Sequence, residues 1–263
     1  MRVDTATLID KFSDRIRWDD LDLESFAAQP LDDETLRCLR YMHDVEFHTI
    51  CYLRDLLLTP AHGDASVTGF LSLWVYQEYW HGEAIAAVLD AHGELSGMRR
   101  VQAVRNRLGL RDRLRPLLVS LGGWIGGDDF TAVHMAWGAV NEWTTQAGYA
   151  QLAQRAGHPV LSELLKRIMK QEGRHIDFYA SQAQRRLSES RRAQRITRMA
   201  LGKFWGPVGS GVMPNEEVAF LSRYLFAGER GQAAAARIDR QVDRLPGMSG
   251  LALMRSATSS LAA

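Results

Sequence analysis

Cysteine is scarce in this chain of 263 residues, and long apolar runs are missing from it. The two cysteines, Cys38 and Cys51, are 13 residues apart on one predicted helix, about 20 Å apart and too far for a disulfide. We therefore expect reduced thiols and a cytoplasmic protein. The amino terminus carries charges in place of an apolar signal core, and no stretch approaches the ~20 apolar residues of a membrane span.

An excess of charge of one sign is missing as well. The chain has 32 basic and 31 acidic residues, for a net charge of +1, and no recognised nucleic-acid-binding motif, so we do not expect it to bind nucleic acid. Locally the charge is uneven, because segments 99–115 and 185–198 hold seven and six arginines with one acidic residue each. These segments are either solvated helix faces or a docking surface for an acidic partner.

The strand pattern of alternating polar and apolar residues is missing too, whereas the helical period is found nearly everywhere. Four long helices are predicted, at about 33–58, 64–93, 129–156 and 159–187. Shorter helices follow over about 188–245, and a flexible tail is expected at about 250–263. The pattern predicts an all-α protein with one domain over 1–263, a four-helix bundle at 33–187 and additional C-terminal helices.

Acidic residues and histidines lie on the apolar faces of these long helices. Glu78 and His81 are at i and i+3 on a face that also carries Trp74 and Ile85, so both side chains point the same way into the core. Glu172 and His175 repeat this spacing on the fourth long helix. A buried carboxylate needs a partner, and a metal ion is one such partner.

The other two long helices each add a glutamate on the apolar face, Glu46 and Glu142. The order along the chain is Glu, Glu-x-x-His, Glu, Glu-x-x-His, which is the ligand set of ferritin-like dimetal carboxylate proteins. Mixed imidazole and carboxylate ligation suits two iron ions, with manganese as the alternative. A bundle whose buried acids pair with arginines is the other interpretation, but it does not explain why glutamate and histidine recur in register.

Several motifs resemble those of the soluble acyl-acyl-carrier-protein desaturases. "WVYQEYWHGEAI" is similar to that family's W-x-x-E-E-N-R-H-G-D, and "QEGRHIDFY" is similar to its D-E-K-R-H-E-x-x-Y. "NEWTTQ" resembles its Q-E-R-A-T segment, and the resemblance covers about residues 35–245. It implies a ferritin-like fold and a diiron centre bound by Glu46, Glu78, His81, Glu142, Glu172 and His175.

The resemblance also implies an activity and partners. Family members use molecular oxygen to remove hydrogen from a carrier-bound fatty acyl chain, which leaves a double bond. The implied partners are acyl carrier protein or another acyl carrier, a ferredoxin-like electron donor and a second copy of the chain in a homodimer. Thr145 is at the position of the family's active-site threonine, where it could donate a proton or a hydrogen bond to oxygen, although a packing threonine is the alternative.

The chain departs from the family at two positions beside the ligands. Gln171 replaces the acid before Glu172, and Trp80 replaces the arginine before His81. Gln171 can accept a hydrogen bond but adds no charge, which leaves electron delivery and the substrate open. The alternatives are another oxygen-activating diiron oxidase, acting on an amine or a carrier-bound intermediate, and a ferroxidase-type iron protein. His43, one turn before Glu46, could support that ligand or serve in packing.

Overall fold

The computed structural model describes residues 14–106, 123 and 126–260. Every regular element in this part of the chain is a helix apart from one isolated β-bridge. We number the α-helices in chain order: α1 (Ser25–Ala28), α2 (Asp33–Leu57), α3 (Ala65–Ala91), α4 (Gly97–Asn106), α5 (Asp128–Ala156), α6 (Pro159–Glu189), α7 (Arg191–Phe204), α8 (Asn215–Phe226), α9 (Gly228–Asp243) and α10 (Leu253–Ser260). A short 3₁₀ helix, Pro60–Gly63, connects α2 to α3. The predicted all-α fold class is confirmed.

The long helices begin and end at the residues that the sequence marks. The Asp32 carboxylate accepts a bond from the backbone N–H of Thr35 at 2.6 Å, and the Asp64 carboxylate accepts from Ser66 at 2.9 Å. Both are N-caps, which satisfy backbone donors that the first turn leaves unbonded. Gly157 follows α5 with a φ of 62°, a left-handed conformation that suits glycine and stops the helix.

The described residues group into two compact parts. The first contains α1 to α4 together with Ala153–Gln171, which includes the first half of α6. Within it α2 and α3 run antiparallel, with the ring of Phe47 against Tyr79 and the ring of Tyr52 against Trp74. This pairing aligns the ligand-bearing stretches of the two helices.

The second part contains α5 up to Leu152, α6 from Glu172 onward, and α7 to α10. Here α5 and the second half of α6 pack with Gly138 directly against the ring of Tyr179. The helices that follow form a smaller cluster around the buried residues Leu225, Ile238 and Met248.

The expectation of a flexible tail at 250–263 is wrong for most of that stretch. Residues 253–260 form α10, whose first residues, Leu253 and Met254, are buried. The buried carboxylate of Asp239 accepts from the backbone N–H of Met254 at 2.8 Å and pairs with the Arg255 guanidinium at 3.0 Å. The Asp239 carboxylate therefore holds both the first turn of α10 and the side chain of Arg255. Residues 261–263 lie outside the described part.

Other predictions about the architecture stand as predictions. The sequence also predicts a weak helix at about 4–14, and all of it except Asp14 lies outside the described residues. Most of segment 107–125 lies outside them as well. The four-helix bundle is compatible with the four long helices, and the single domain remains an expectation. No helix in the described part of the chain combines the length and the hydrophobicity that crossing a bilayer requires.

Candidate metal centre

The first set of predicted ligands comes together in the first part of the chain. Glu46 on α2 and Glu78 and His81 on α3 are all buried, and each offers a ligand atom within 4.8 Å of the others. His81 Nδ1 lies 3.8 Å from Glu46 Oε2 and 4.0 Å from Glu78 Oε2. The i, i+3 spacing on α3 therefore does what the sequence predicts, because it directs carboxylate and imidazole to one point.

The second set comes together in the second part. Glu142 on α5 and Glu172 and His175 on α6 are buried, and their ligand atoms also lie within 4.8 Å of one another. His175 Nδ1 is 2.9 Å from Glu172 Oε2 and 3.9 Å from Glu142 Oε2. Each set thus contains one lone glutamate, one Glu-x-x-His pair and an imidazole whose Nδ1 faces two carboxylates.

Gln171 determines which nitrogen of His81 carries the proton. The Gln171 amide nitrogen donates to the backbone carbonyl of Asp14 at 2.9 Å, and because a carbonyl only accepts, this contact fixes which end of the amide is nitrogen. The amide oxygen therefore faces His81 Nε2, also at 2.9 Å, and accepts a hydrogen from it. In the neutral ring the hydrogen is therefore on Nε2, which leaves the lone pair on Nδ1 directed at the carboxylates.

Two glycines set the register of the helices that carry the ligands. A Cβ atom at Gly82, next to His81, would approach within 2.6 Å of the Phe47 ring, and a Cβ at Gly138 would collide with the Tyr179 ring. Both rings are buried. The space beside Gly138 is therefore filled by the Tyr179 ring.

The donor groups fit a metal. Four glutamates and two histidines are each no more than 5% exposed, and in such an environment carboxylates of like charge repel one another unless a cation neutralises them. Two divalent ions would balance four carboxylates, and nitrogen with oxygen ligation is what iron and manganese accept. The described residues thus contain buried Glu and His groups able to bind metal.

Thr145 lies one turn after Glu142 on α5 and is half-buried. Its neighbour Thr144 is the buried one of the pair, and the Thr144 hydroxyl donates to the carbonyl of Val140 at 2.8 Å. Thr144 therefore acts in helix packing, whereas the role of Thr145 beside oxygen stays a prediction.

Two other buried histidines have structural surroundings. His43 Nε2 accepts from the backbone N–H of Gly97 at 2.9 Å, and its Nδ1 lies 3.0 Å from the Asp44 carboxylate, which binds Arg100 through two bonds of 2.7 Å. This network joins α2 to the start of α4. His134 packs edge-on against Tyr179, and burial lowers the pKa of His134 to about 3, so the ring is neutral.

Several arginines of the two basic segments hold the fold together. Besides Arg100, the Arg105 guanidinium donates to the carbonyl of Phe47 at 3.0 Å, and Arg198 donates to the carbonyls of Gly247 and Ser249. Arg191 and Arg195 on α7 are exposed. Part of this positive charge is thus structural, and part lies at the surface.

The sequence predicts the six candidate ligands and singles out Gln171, but it does not predict the contact of Gln171 with the backbone of Asp14. Cys38 and Cys51 are both free thiols on α2, as predicted from their spacing. Searches of family models, curated proteins and solved structures find no match to this chain.

Proposed function

We propose that the two ligand sets together hold two iron ions, and that this chain is an oxygen-dependent diiron desaturase of carrier-bound fatty acyl chains. Two iron ions held by these residues would supply the oxygen chemistry that removes two hydrogens from an unactivated chain. Electrons would come from a ferredoxin-like donor. We further propose a cytoplasmic homodimer.

One observation carries this proposal. Each Glu-x-x-His pair lies with a lone glutamate in a buried group whose ligand atoms are within 4.8 Å of one another. A single such group is compatible with many metal sites. Two groups with the same composition and the same i, i+3 spacing match the ligand set of dimetal carboxylate proteins. The Nδ1 atom that faces carboxylates in both groups also supports the proposal.

The chain's own residues would prepare the site before any substrate arrives. Gln171 holds the lone pair of His81 on Nδ1, and the packed rings of Phe47 and Tyr179 keep the helices in register. In this proposal Thr145 donates a hydrogen bond or proton to the reacting oxygen next to Glu142. The exposed arginines on α7 would attract an acidic acyl carrier protein.

Gln171 is the observation that favours a second candidate. The partner of His81 is a neutral amide where the desaturases have an acid, so the imidazole receives less negative charge from its partner. A diiron oxidase with another substrate, such as an amine or a carrier-bound intermediate, accommodates this difference.

The first test is a single-turnover reaction. The iron-loaded protein is reduced without air, mixed with oxygen and a panel of acyl carrier proteins, and the acyl chain is analysed by mass spectrometry. Loss of two hydrogen atoms supports desaturation, and gain of one oxygen atom indicates an oxygenase. Iron oxidation with every acyl chain unchanged contradicts the acyl substrate, and failure to bind about two metal ions per chain contradicts the whole proposal.

A pair of neighbouring threonines tests the role of Thr145. Thr145→Ala should leave the bound iron unchanged and lower the product formed per turnover. Thr144→Ala is the matched control, because the Thr144 hydroxyl is already bonded to the Val140 carbonyl. If both variants make product at the wild-type level, Thr145 has no part in the reaction.

A further inference from the structure

Residues 14–20, which we call the strap, lie across the part of α6 that supports His81. The strap has one buried apolar anchor, Ile16, which is 4% exposed. Around it the strap makes polar and aromatic contacts with α3 and α6, and these contacts hold a stretch of chain that has no helix or strand of its own.

Arg167 and Gln171 both hold the strap, and because they are one helical turn apart on α6 they share a face. The Arg167 guanidinium donates to the carbonyl of Arg17 at 2.9 Å and binds the Asp20 carboxylate through two bonds of 2.7 and 2.9 Å. Gln171 donates to the carbonyl of Asp14 at 2.9 Å. The two ends of the strap are thus attached to adjacent turns of the same helix.

The aromatic contact is with Trp80, the residue before His81. The Arg15 guanidinium lies over the Trp80 ring at 4.3 Å, and the rings of Trp18 and Trp80 are 6.1 Å apart. A cation over a tryptophan face is attracted by the ring quadrupole. Trp80, which replaces the arginine of the related motif, therefore gives the strap a docking point immediately beside a proposed metal ligand.

We propose that the strap is a positioning element for His81. The Asp14 carbonyl keeps the Gln171 amide nitrogen away from His81 and so keeps the amide oxygen toward it. A released strap would let the Gln171 amide turn, and an amide nitrogen facing His81 Nε2 would favour the opposite tautomer, in which Nδ1 carries a proton and cannot bind metal. Docking of the strap is thereby coupled to metal affinity, an inference that rests on the proposed metal site.

Variants can separate the two bonds of Gln171. Gln171→Leu removes both bonds. Gln171→Glu keeps an oxygen for His81 but cannot donate to the Asp14 carbonyl. Arg167→Met leaves Gln171 intact and removes the anchors at Arg17 and Asp20. Arg54→Met is the matched control, because it breaks an arginine–aspartate pair of 2.6 Å, with Asp55, outside the strap.

The deciding measurement is ¹⁵N NMR of the histidine rings in the metal-free protein, with His81 assigned from His81→Gln. We expect the wild type and Arg54→Met to show the Nε2-protonated tautomer. Arg167→Met and Gln171→Leu should show a mixture of tautomers, and Gln171→Glu should keep the wild-type form. A wild-type His81 protonated on Nδ1, or an Arg167→Met spectrum identical to that of the wild type, would overturn the proposal.

A second readout follows Co²⁺ release into excess chelator. We expect Arg167→Met to release the ion about 10-fold faster than the wild type, the scale on which outer partners of ligands act, and Arg54→Met to match the wild type. Equal rates in Arg167→Met and wild type would contradict the coupling. If the chain binds no Co²⁺, Fe²⁺ or Mn²⁺, the proposed function fails, while the tautomer comparison still decides the role of the strap.

Discussion

At the scale of single residues, the buried Glu78 carboxylate should behave as a metal ligand and not as a structural ion-pair partner. Glu78→Gln removes one of the two carboxylates that face His81 Nδ1. Without metal the substitution relieves like-charge repulsion, so we expect the melting temperature to stay equal or rise. With metal, the wild type gains about 2.7 kcal/mol at a metal concentration of 100 times Kd, and the variant should lose most of this gain. Thermal unfolding with chelator and with Mn²⁺ measures both effects.

A lower melting temperature of metal-free Glu78→Gln would instead identify Glu78 as the partner of a buried ion pair. Breaking a buried ion pair costs about 3–5 kcal/mol, because the remaining partner is left uncompensated. Asp44→Asn provides the comparison, since the Asp44 carboxylate is buried and bound by Arg100 through two bonds. The Asp44→Asn variant should have a lower free energy of unfolding with and without metal. A comparable loss for metal-free Glu78→Gln would contradict the metal site.

At the scale of elements, the contact between α5 and α6 depends on a glycine that accommodates a ring. Gly138→Ala adds a methyl group that collides with the buried Tyr179 ring. Overpacking of this kind lowers stability by about 1–3 kcal/mol. We expect urea unfolding to show that loss in the free energy of unfolding. Because the ring lies one turn after His175, the variant should also bind metal more weakly.

Gly173, which is on α6, allows the effect of ring packing at Gly138 to be separated from the effect of helix propensity. A Cβ atom at Gly173 would meet only the side-chain nitrogen of Gln146, at 3.8 Å. Gly173→Ala should therefore stabilise the protein by about 0.5–1 kcal/mol, the usual gain of alanine over glycine within a helix. A loss at Gly173 as large as the loss at Gly138 would rule out the ring contact as the cause.

How far the sequence predicts this structure differs from element to element. The buried glutamates and histidines of the two candidate ligand sets were predictable because they share the 3.6-residue period of their apolar faces. Asp64 was recognisable as a residue that begins a helix. The Asp14–Gln171 contact was not predictable, because the backbone carbonyl that accepts the hydrogen bond is 157 residues away from Gln171 in the sequence. Helix α10 was missed because its sequence has only two buried apolar residues, and its anchor, Asp239, is on another helix.

At the scale of the whole molecule, acid should destabilise the fold through buried histidines. Burial lowers the pKa of His134 to about 3 and also lowers the pKa of His158. A lowered histidine pKa means that the unfolded chain binds a proton first as the pH falls below about 6.5, so stability is complete above that pH and is lost on acidification toward 3. For His134 alone the loss between pH 7 and pH 5 is about 2 kcal/mol.

The comparison of two histidine variants measures this effect. His134→Leu should flatten the dependence of the free energy of unfolding on pH between 7 and 5, in urea titrations of the metal-free protein. His62→Gln is the control for the removal of one imidazole, because His62 is exposed. An unchanged slope in His134→Leu would show that this ring is not held neutral.

The two ring–glycine contacts have a consequence for the rate of metal uptake by the proposed centre. Phe47 against Gly82 and Tyr179 against Gly138 hold the ligand helices in register by packing alone. The ligands are therefore gathered before an ion arrives, and binding needs no folding step. Uptake should be a simple second-order process with an unchanged helical circular dichroism signal, and its speed should be governed by the loss of water from the ion and by its passage to the buried site.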